Sequence, residues 1–305
     1  MLPAEIIDRF RVRKGGDFRL ADFDPCDTCG LDIDKGDAKD MLEAGVKRLA
    51  ALQDRLWADD RWAILVILQG IDTSGKDGVI KHVMSGVNPQ GCEVHSFKAP
   101  SEEEIDHDFL RRASLALPPR GRIGIFNRSY YEETIVVRVH PELLQKQKLP
   151  QQLITDDIWD QRFTDINNFE AYLAHNGILP IKFFLNISKK EQLGRLLARI
   201  DDPEKRWKFA PRDVEERKLW DPYMQAYEQT IRHTATKDAP WHVVPANHKW
   251  FTRLVVAATL VERLEALDLK YPRLDPTTLA QLDSIRTDLA AQKSKIKQEL
   301  KRDWP

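Results

Sequence analysis

The stretch LQGIDTSGKDG, residues 68–78, decides the fold. It follows a continuous apolar run, WAILVILQG, of the kind found in a strand buried on both faces of a parallel sheet. It leads into KDGVIKHVMSGV, which reads as a helix. The spacing of Gly70, Gly75 and Lys76 is that of a P-loop, in which backbone N–H groups and a lysine surround phosphate oxygens at a helix N-terminus. Two carboxylates complicate this reading. Asp72 lies inside the loop, and Asp77 stands where such loops usually carry Ser or Thr. Like charges ~4 Å apart repel by about 4 kcal/mol at an effective dielectric near 20, so a carboxylate beside a phosphate needs a cation between them. The stretch predicts a phosphate site that also holds a metal, with Asp72 as its negative pole.

Outward from this loop the chain alternates strands and helices. A leading amphipathic helix over 37–60 places Leu42, Val46, Leu49, Leu52 and Leu56 at helical spacing. After the P-loop helix come a strand near CEVHSFKA, a single helix SEEEIDHDFLRRASLAL started by the Ser101/Glu104 capping box, and the strand RIGIFNRS. A helix ending at Gly177, the strand ILPIKFFLNIS, the helix KKEQLGRLLARI, a charged segment, the strand WHVVPA and a helix from Lys249 to Leu267 complete the series. Such alternation predicts a three-layer α/β fold with a parallel sheet. Residues 1–36 read as an irregular N-terminal segment, 37–270 as the main domain with a lid at about 195–237, and 271–305 as a helical extension packed on the domain or on another subunit.

Composition excludes several classes. At 305 residues, with 42% hydrophobic and 31% charged residues, the chain can bury a sizeable core. A net charge of −1 argues against a general nucleic-acid binder while allowing a local basic channel. No segment approaches the ~20 uninterrupted apolar residues of a membrane span, and the N-terminus lacks the apolar core of a signal peptide, so a cytoplasmic protein is expected. Three cysteines are too few for a disulfide framework; Cys26 and Cys29 form a CxxC in a Pro/Asp/Gly-rich loop, which lacks the second pair or the histidines of a zinc site. The eight histidines form no HExxH, and no GxSxG occurs. Trp159, Trp207, Trp220 and Trp241 read as core or helix-packing residues.

Two further constellations carry chemistry. In RIGIFNRSYYEE, residues 122–133, an apolar strand ends at Asn127, where P-loop proteins place a magnesium-orienting Asp. Asn127 can hold a metal-bound water without adding charge, and Arg128 offers a fork suited to phosphate oxygens at a strand C-terminus. In GRLLARIDDPEKRWKFAPRD, residues 194–213, Arg195 and Arg199 share a helix face and together could clamp an anion. Residues 195–218 hold eight Lys or Arg against six Asp or Glu, which also suits a plain solvated helix hairpin. The breaker Asp202-Pro203, with Trp207 and Lys208 beyond it, favours a lid.

LQGIDTSGKDGVIKHV, GRIGIFNRSYYEETIVVRVH and EQLGRLLARIDDPEKRWKFAPRDVEERKLWDPYMQAY resemble, in this order, the Walker A, Walker B and lid segments of the polyphosphate kinase type 2 family. The resemblance runs from about Asp24 to Leu267. It implies a thymidylate-kinase-like P-loop kinase fold and phosphoryl transfer from inorganic polyphosphate to AMP or ADP, with Mg²⁺, or Mn²⁺ in its place. ATP, the product from ADP, is then also a ligand, and a homo-oligomer is expected. Asp72, Lys76 and Arg128 match the catalytic positions, with Asp72 toward metal. Gly70, Ser74, Gly75, Asp77, Lys81, Asn127, Arg195, Arg199 and Lys208 fall on phosphate- or nucleotide-binding positions. FNRSYYEE is similar to the family branch associated with phosphorylating both AMP and ADP, which makes Glu132 and Glu133 candidates for orienting the nucleotide's metal or terminal phosphate. Tyr130 stands where His is expected, and Ala210 where the lid usually has Ser.

Overall fold

The computed structural model describes residue 2 and residues 4–303, apart from the side chains of 298–303. Expectations for residues 1, 3, 304 and 305 lie outside the described residues. The chain divides into two compact units, residues 1–269 and 270–305.

In the first unit a six-stranded sheet runs in the order β1-β6-β5-β2-β4-β3. Its strands are β1 (Arg11–Val12), β2 (Ala63–Gln69), β3 (Cys92–Ser96), β4 (Ile123–Asn127), β5 (Ile178–Asn186) and β6 (Trp241–Pro245). All neighbours are parallel except β1 and β6. Every residue of β2 is buried, as its unbroken apolar run predicts for a strand covered on both faces. Leu68 of β2 pairs with Asn127 of β4 and with Phe183 of β5, so the loops after β2 and β4 leave the sheet side by side. That edge, at the strand C-termini, is where open α/β sheets bind ligands.

Helices α1 (Ala4–Arg9), α2 (Lys35–Asp59) and α3 (Lys76–Val83) precede β3; α4 (Glu102–Ile105) and α5 (Arg111–Leu115) lie between β3 and β4. Helices α6 (Glu132–Val139), α7 (Pro141–Lys146) and α8 (Ile158–His175) lead to β5, and α9 (Lys189–Asp201), α10 (Pro211–Lys218) and α11 (Trp220–Thr234) lead to β6. Helix α12 (Lys249–Glu265) follows. It packs on α2 and α3, while α6, α8 and α11 pack on one another, which gives two helical layers around the sheet.

Three sequence expectations need correction. The N-terminal segment is not irregular throughout: Ile7, Phe10, Val12, Phe18 and Leu20 enter the core, and β1 pairs in register with β6. Arg11 Nε donates to Nε2 of buried His242 (3.1 Å), whose Nδ1 lies 3.1 Å from the Lys182 carbonyl and so carries the proton. The single helix expected after Ser101 is two short ones. The capping box forms, but the Asp108 carboxylate accepts from Leu110 N (3.0 Å) and turns the chain between them. The segment expected as one lid also divides, because α11 buries Trp220, Tyr223, Tyr227 and Ile231 in the body and leaves only 201–219 as an exposed excursion. Within it Trp207 is 78% exposed, against the packing role expected of it, whereas Trp220 and Trp241 are buried.

The second unit is a single helix, α13 (Pro276–Asp303), started by Asp275, whose carboxylate accepts from Thr277 N and Thr278 N at 2.9 Å each. Among the described residues no helix is long and apolar enough to cross a membrane.

Candidate active site

The loop after β2 turns sharply, with two glycines and the β-branched Thr73 (φ +62°) in the positive-φ region. Gly70 has φ +154°, and a Cβ there would stand 2.6 Å from Ser74 Oγ. Gly75, at φ +109°, caps α3. Helix α3 therefore begins at Lys76 with its first-turn N–H groups at the sheet edge, where the helix dipole favours an anion. Lys76 is only 8% exposed and folds back to donate to the carbonyls of Gly70 (2.6 Å) and Ile71 (3.3 Å). Burial, helped by the nearby Arg128 charge, pulls its ammonium down to about 8, while Asp72, Glu132 and Asp77 oppose the fall.

Arg128 follows the last residue of β4 at φ +65°, a conformation that costs a bulky residue about 1–3 kcal/mol. Its own N–H pays part of that by donating to the Leu68 carbonyl (3.0 Å), and its Nη1 donates to Glu132 Oε2 (3.0 Å). Glu132 raises the guanidinium's affinity for its proton more than any other neighbour does. The Gln69 amide, turned to satisfy both neighbours, donates to Glu132 Oε1 (2.9 Å) and accepts from Ser129 N. Glu132 thus braces Arg128 from the first turn of α6.

The excursion over 201–219 reaches the same place. Arg199 Nη1 lies 3.2 Å from Asp72 Oδ2, 3.4 Å from Asp213 Oδ2 and 3.2 Å from the Lys208 carbonyl. Asp213 also accepts from Ala210 N (3.1 Å), so Ala210, without a hydroxyl, still starts α10 through its neighbour's carboxylate. Exposed Asp77 accepts from Asn127 Nδ2 (2.9 Å), with Lys208 Nζ 3.9 Å away. Lys81 is exposed five residues beyond Lys76 on α3.

Two expected residues are placed elsewhere. Arg195 does not join Arg199 in an anion clamp. Its guanidinium donates to the carbonyls of Thr73 (3.0 Å), Ser74 (3.1 Å), Ala246 (2.5 Å) and Asn247 (3.2 Å), and its Nε donates to Glu191 (2.8 Å). It ties the P-loop to the end of β6. Glu133 does not face the loop either. Its buried carboxylate accepts from Arg162 Nε (3.0 Å) and Gln147 Nε2 (2.8 Å). Burial raises its affinity for a proton, and Arg162 opposes this.

Beneath the Arg128 turn lies a network the motifs did not reveal. Lys182, in mid-β5 and fully buried, donates to Glu170 Oε2 (2.6 Å), Tyr131 Oη (2.9 Å) and the Thr234 carbonyl (2.7 Å). Tyr130 and Tyr131 both donate to Glu170 Oε1, at 2.8 and 2.7 Å. Burial first, then the Glu170 charge, pushes both phenols well up. Tyr130, standing where a histidine was expected, is thereby a neutral donor to a buried carboxylate. The available signal was Lys182 itself, one cation inside the apolar run ILPIKFFLN.

The oxygen chemistry suits a hard divalent cation. Asp72 and Asp77 supply carboxylates, and Asn127 Oδ1 is buried without a partner, as are the hydroxyls of Thr73 and Ser74. Among the described residues no group of three or more His, Cys, Asp or Glu side chains could enclose a metal. One or two carboxylates completed by substrate phosphates is how Mg²⁺ is usually held.

The sequence pattern of the Polyphosphate kinase 2 family matches residues 32–272. The chain is 49% identical over 251 residues to the ADP-polyphosphate phosphotransferase of Rhodopseudomonas palustris, covering 82% of this chain and 87% of that protein. It is 45% identical over 265 residues to the AMP/ADP-polyphosphate phosphotransferase of Meiothermus ruber, covering 87% and 95%. The crystal structure of polyphosphate kinase 2 from Arthrobacter aurescens superposes with a TM-score of 0.81 at 40% identity, over 90% of this chain and 95% of that one.

Proposed function

Because this chain belongs to the polyphosphate kinase 2 family, a family of polyphosphate-dependent nucleotide phosphotransferases, we propose that it transfers the terminal phosphoryl group of inorganic polyphosphate to AMP and to ADP, with Mg²⁺. The observation that carries the assignment of roles is the convergence of Lys76 and Arg128 on one sheet edge beside the unpartnered buried oxygens of Thr73, Ser74 and Asn127. Two cations and a set of idle polar groups at a helix N-terminus suit a phosphate chain.

In the proposed reaction an oxygen of the acceptor's terminal phosphate attacks the terminal phosphorus of polyphosphate. The new O–P bond forms as the bridging P–O bond breaks, and the donor leaves one phosphate shorter. Lys76 swings from the Gly70 carbonyl to the transferring group, and Arg128, held by Glu132, presents its fork to the equatorial oxygens where charge spreads. No general base is required, since the attacking phosphate oxygen is already ionised at neutral pH. Asp72, Asp77 and Asn127 would hold Mg²⁺, which supplies neutralisation of phosphate charge. Arg199 releases Asp72 when substrate or metal arrives and turns to the phosphate chain, drawing the 201–219 excursion over the site.

The test is purified protein with Mg²⁺, long-chain polyphosphate and either AMP or ADP, the products separated by chromatography. ADP and ATP should form. Formation of ADP from AMP with ATP as the sole donor, and none with polyphosphate, would overturn the reading in favour of an ATP-dependent kinase on the same fold.

A further inference from the structure

Helix α6 begins at Glu132, beside Arg128, and ends at His140, since Pro141 starts α7 and disfavours helical backbone in the residue before it. The His140 ring, largely covered, reaches away from its own helix to the 201–219 excursion. Glu216 Oε2, on α10, accepts from His140 Nε2 (2.9 Å), while Nδ1 lies 3.2 Å from Glu142 Oε1 on α7. We propose that His140 is a positioning residue that anchors α10 to the body, making α10 the pivot about which 202–210, with Lys208, swings over the phosphate chain. The assignment rests on the phosphotransferase reading above, in which the excursion closes over that chain.

Three observations carry it. The first is that α10 is gripped on two sides. Glu216 also accepts from Tyr223 Oη of α11 (2.7 Å) and from Arg212 Nε (2.9 Å). Burial would raise the proton affinity of Glu216, but the bonds from His140, Tyr223 and Arg212 outweigh it and hold the carboxylate as an anion. Arg217, about 100° further round the helix, donates to Gln192 Oε1 (2.6 Å) and to the Lys189 carbonyl (2.9 Å) of α9. The second is the contrast with the residues just before α10. None of 202–210 is buried. Side chains there bond within the segment or at its margin, Lys205 to Asp202 and Arg206 Nε to the Ile200 carbonyl (2.7 Å), and Lys208 Nζ stays 3.9 Å from Asp77. Segments with few buried contacts open at low free-energy cost. The third is where the anchor leads. Burial, then the Glu216 bond and charge, then the Glu132 charge push the Tyr223 phenol well up, while Arg128 opposes, so the side chain that shares Glu216 with His140 also senses the Glu132–Arg128 pair.

Both ends of α6 thereby serve one centre. Glu132 braces Arg128 at its start, and His140 at its end fixes the helix whose Asp213 receives Arg199.

Hydrogen–deuterium exchange tests the anchor without any donor present. In the unaltered protein, amides of 214–219 should exchange at least about tenfold more slowly than those of 202–210. His140→Ala should speed 214–219 about tenfold and leave β5 at its parent rates, and His140→Gln, whose amide can still donate to Glu216, should restore most of the protection. Unchanged exchange at 214–219, or equal acceleration in β5, would overturn the proposal. Steady-state kinetics supply the functional half. His140→Ala should raise KM for polyphosphate about fivefold while kcat and KM for ADP change less than about twofold, because what is lost is the hold on the donor rather than transition-state charge. A fall in kcat with both KM values unchanged would overturn it. Absence of turnover with polyphosphate in the parent would strike the phosphotransferase reading, and the exchange result would still decide whether α10 is anchored.

Discussion

Two charged clusters, one buried around Lys182 in mid-β5 and one at the C-terminal edge of the sheet, differ in how completely their polar atoms are used. In the first the side-chain polar atoms are matched: Lys182 is held by Glu170, Tyr131 and the Thr234 carbonyl, and both tyrosines by Glu170. In the second Lys76 rests on its own loop, and the buried oxygens of Thr73, Ser74 and Asn127 have no partner. The first cluster is satisfied by its own side chains and serves rigidity; the second keeps polar atoms that the proposed function assigns to phosphate. A buried charge pair is poor evidence of net stabilisation, but removing one member is expensive, because the survivor stays buried and unpaired.

The largest expected effect follows from that asymmetry. Lys182→Met should lower stability by about 3–5 kcal/mol in denaturant titration, because Glu170 keeps its charge without its cation. A loss below about 1 kcal/mol would mean that the network closes around the missing cation, and the two clusters would then not differ in kind. Lys76→Ala should do the reverse, leaving the denaturation midpoint nearly unchanged while reducing turnover at least ~10²-fold, since it deletes charge stabilisation made in the transition state.

The pH dependence of Lys76 separates function from stability within one residue. Its ammonium titrates at about 8 in the folded protein against 10.5 ordinarily. Between those values the unfolded chain binds more protons, so this residue makes stability rise with pH. Activity should move the other way: kcat/KM, which reports free-enzyme ionisations, should fall about tenfold per pH unit above 8. Lys76→Arg should abolish that alkaline fall in whatever activity remains.

What the sequence made legible was local. The P-loop, the strand ending at Asn127 and the capping box at Ser101 are each specified within a dozen residues, and each stands where its pattern says. What was not legible depended on direction. Glu132 and Glu133 are neighbours in sequence, yet successive residues on a helix point about 100° apart, so one faces Arg128 and the other Arg162. Arg195 and Arg199 do share a face, but they stand at different heights, and Arg195 meets four backbone carbonyls before any ligand could. The two residues of β1 are too short to display alternation, which is why the N-terminal segment read as irregular.

A smaller effect is expected at Asp72, where two roles compete. Its carboxylate lies against Arg199 in this structure and is proposed to turn to the metal. Asp72→Asn should raise the Mg²⁺ concentration for half-maximal activity by about tenfold, as loss of a charged ligand does to a hard cation's affinity. An unchanged metal requirement with slowed turnover would assign Asp72 to holding Arg199 alone.

The smallest effect concerns acceptor choice, and it decides what Glu132 does. An enzyme that phosphorylates both AMP and ADP must bring either an α- or a β-phosphate to one reacting position. With the nucleoside held in one place, the shorter acceptor falls short by one phosphate. Glu132 lies beside the gap, with one oxygen on Arg128 and the other reached by Gln69. Glu132→Ala should release Arg128 for both acceptors, lowering kcat/KM in each case. AMP should lose about threefold more than ADP, since Glu132 would also help hold the metal that neutralises the shorter acceptor's phosphate. The ratio of kcat/KM for AMP to that for ADP, measured in parent and variant, reads this difference free of the common loss. An unchanged ratio would make Glu132 a brace for Arg128 and nothing more. Acceptor choice would then fall to Arg199 and Lys208 on the 201–219 excursion, whose alanine variants should move the ratio where Glu132→Ala did not.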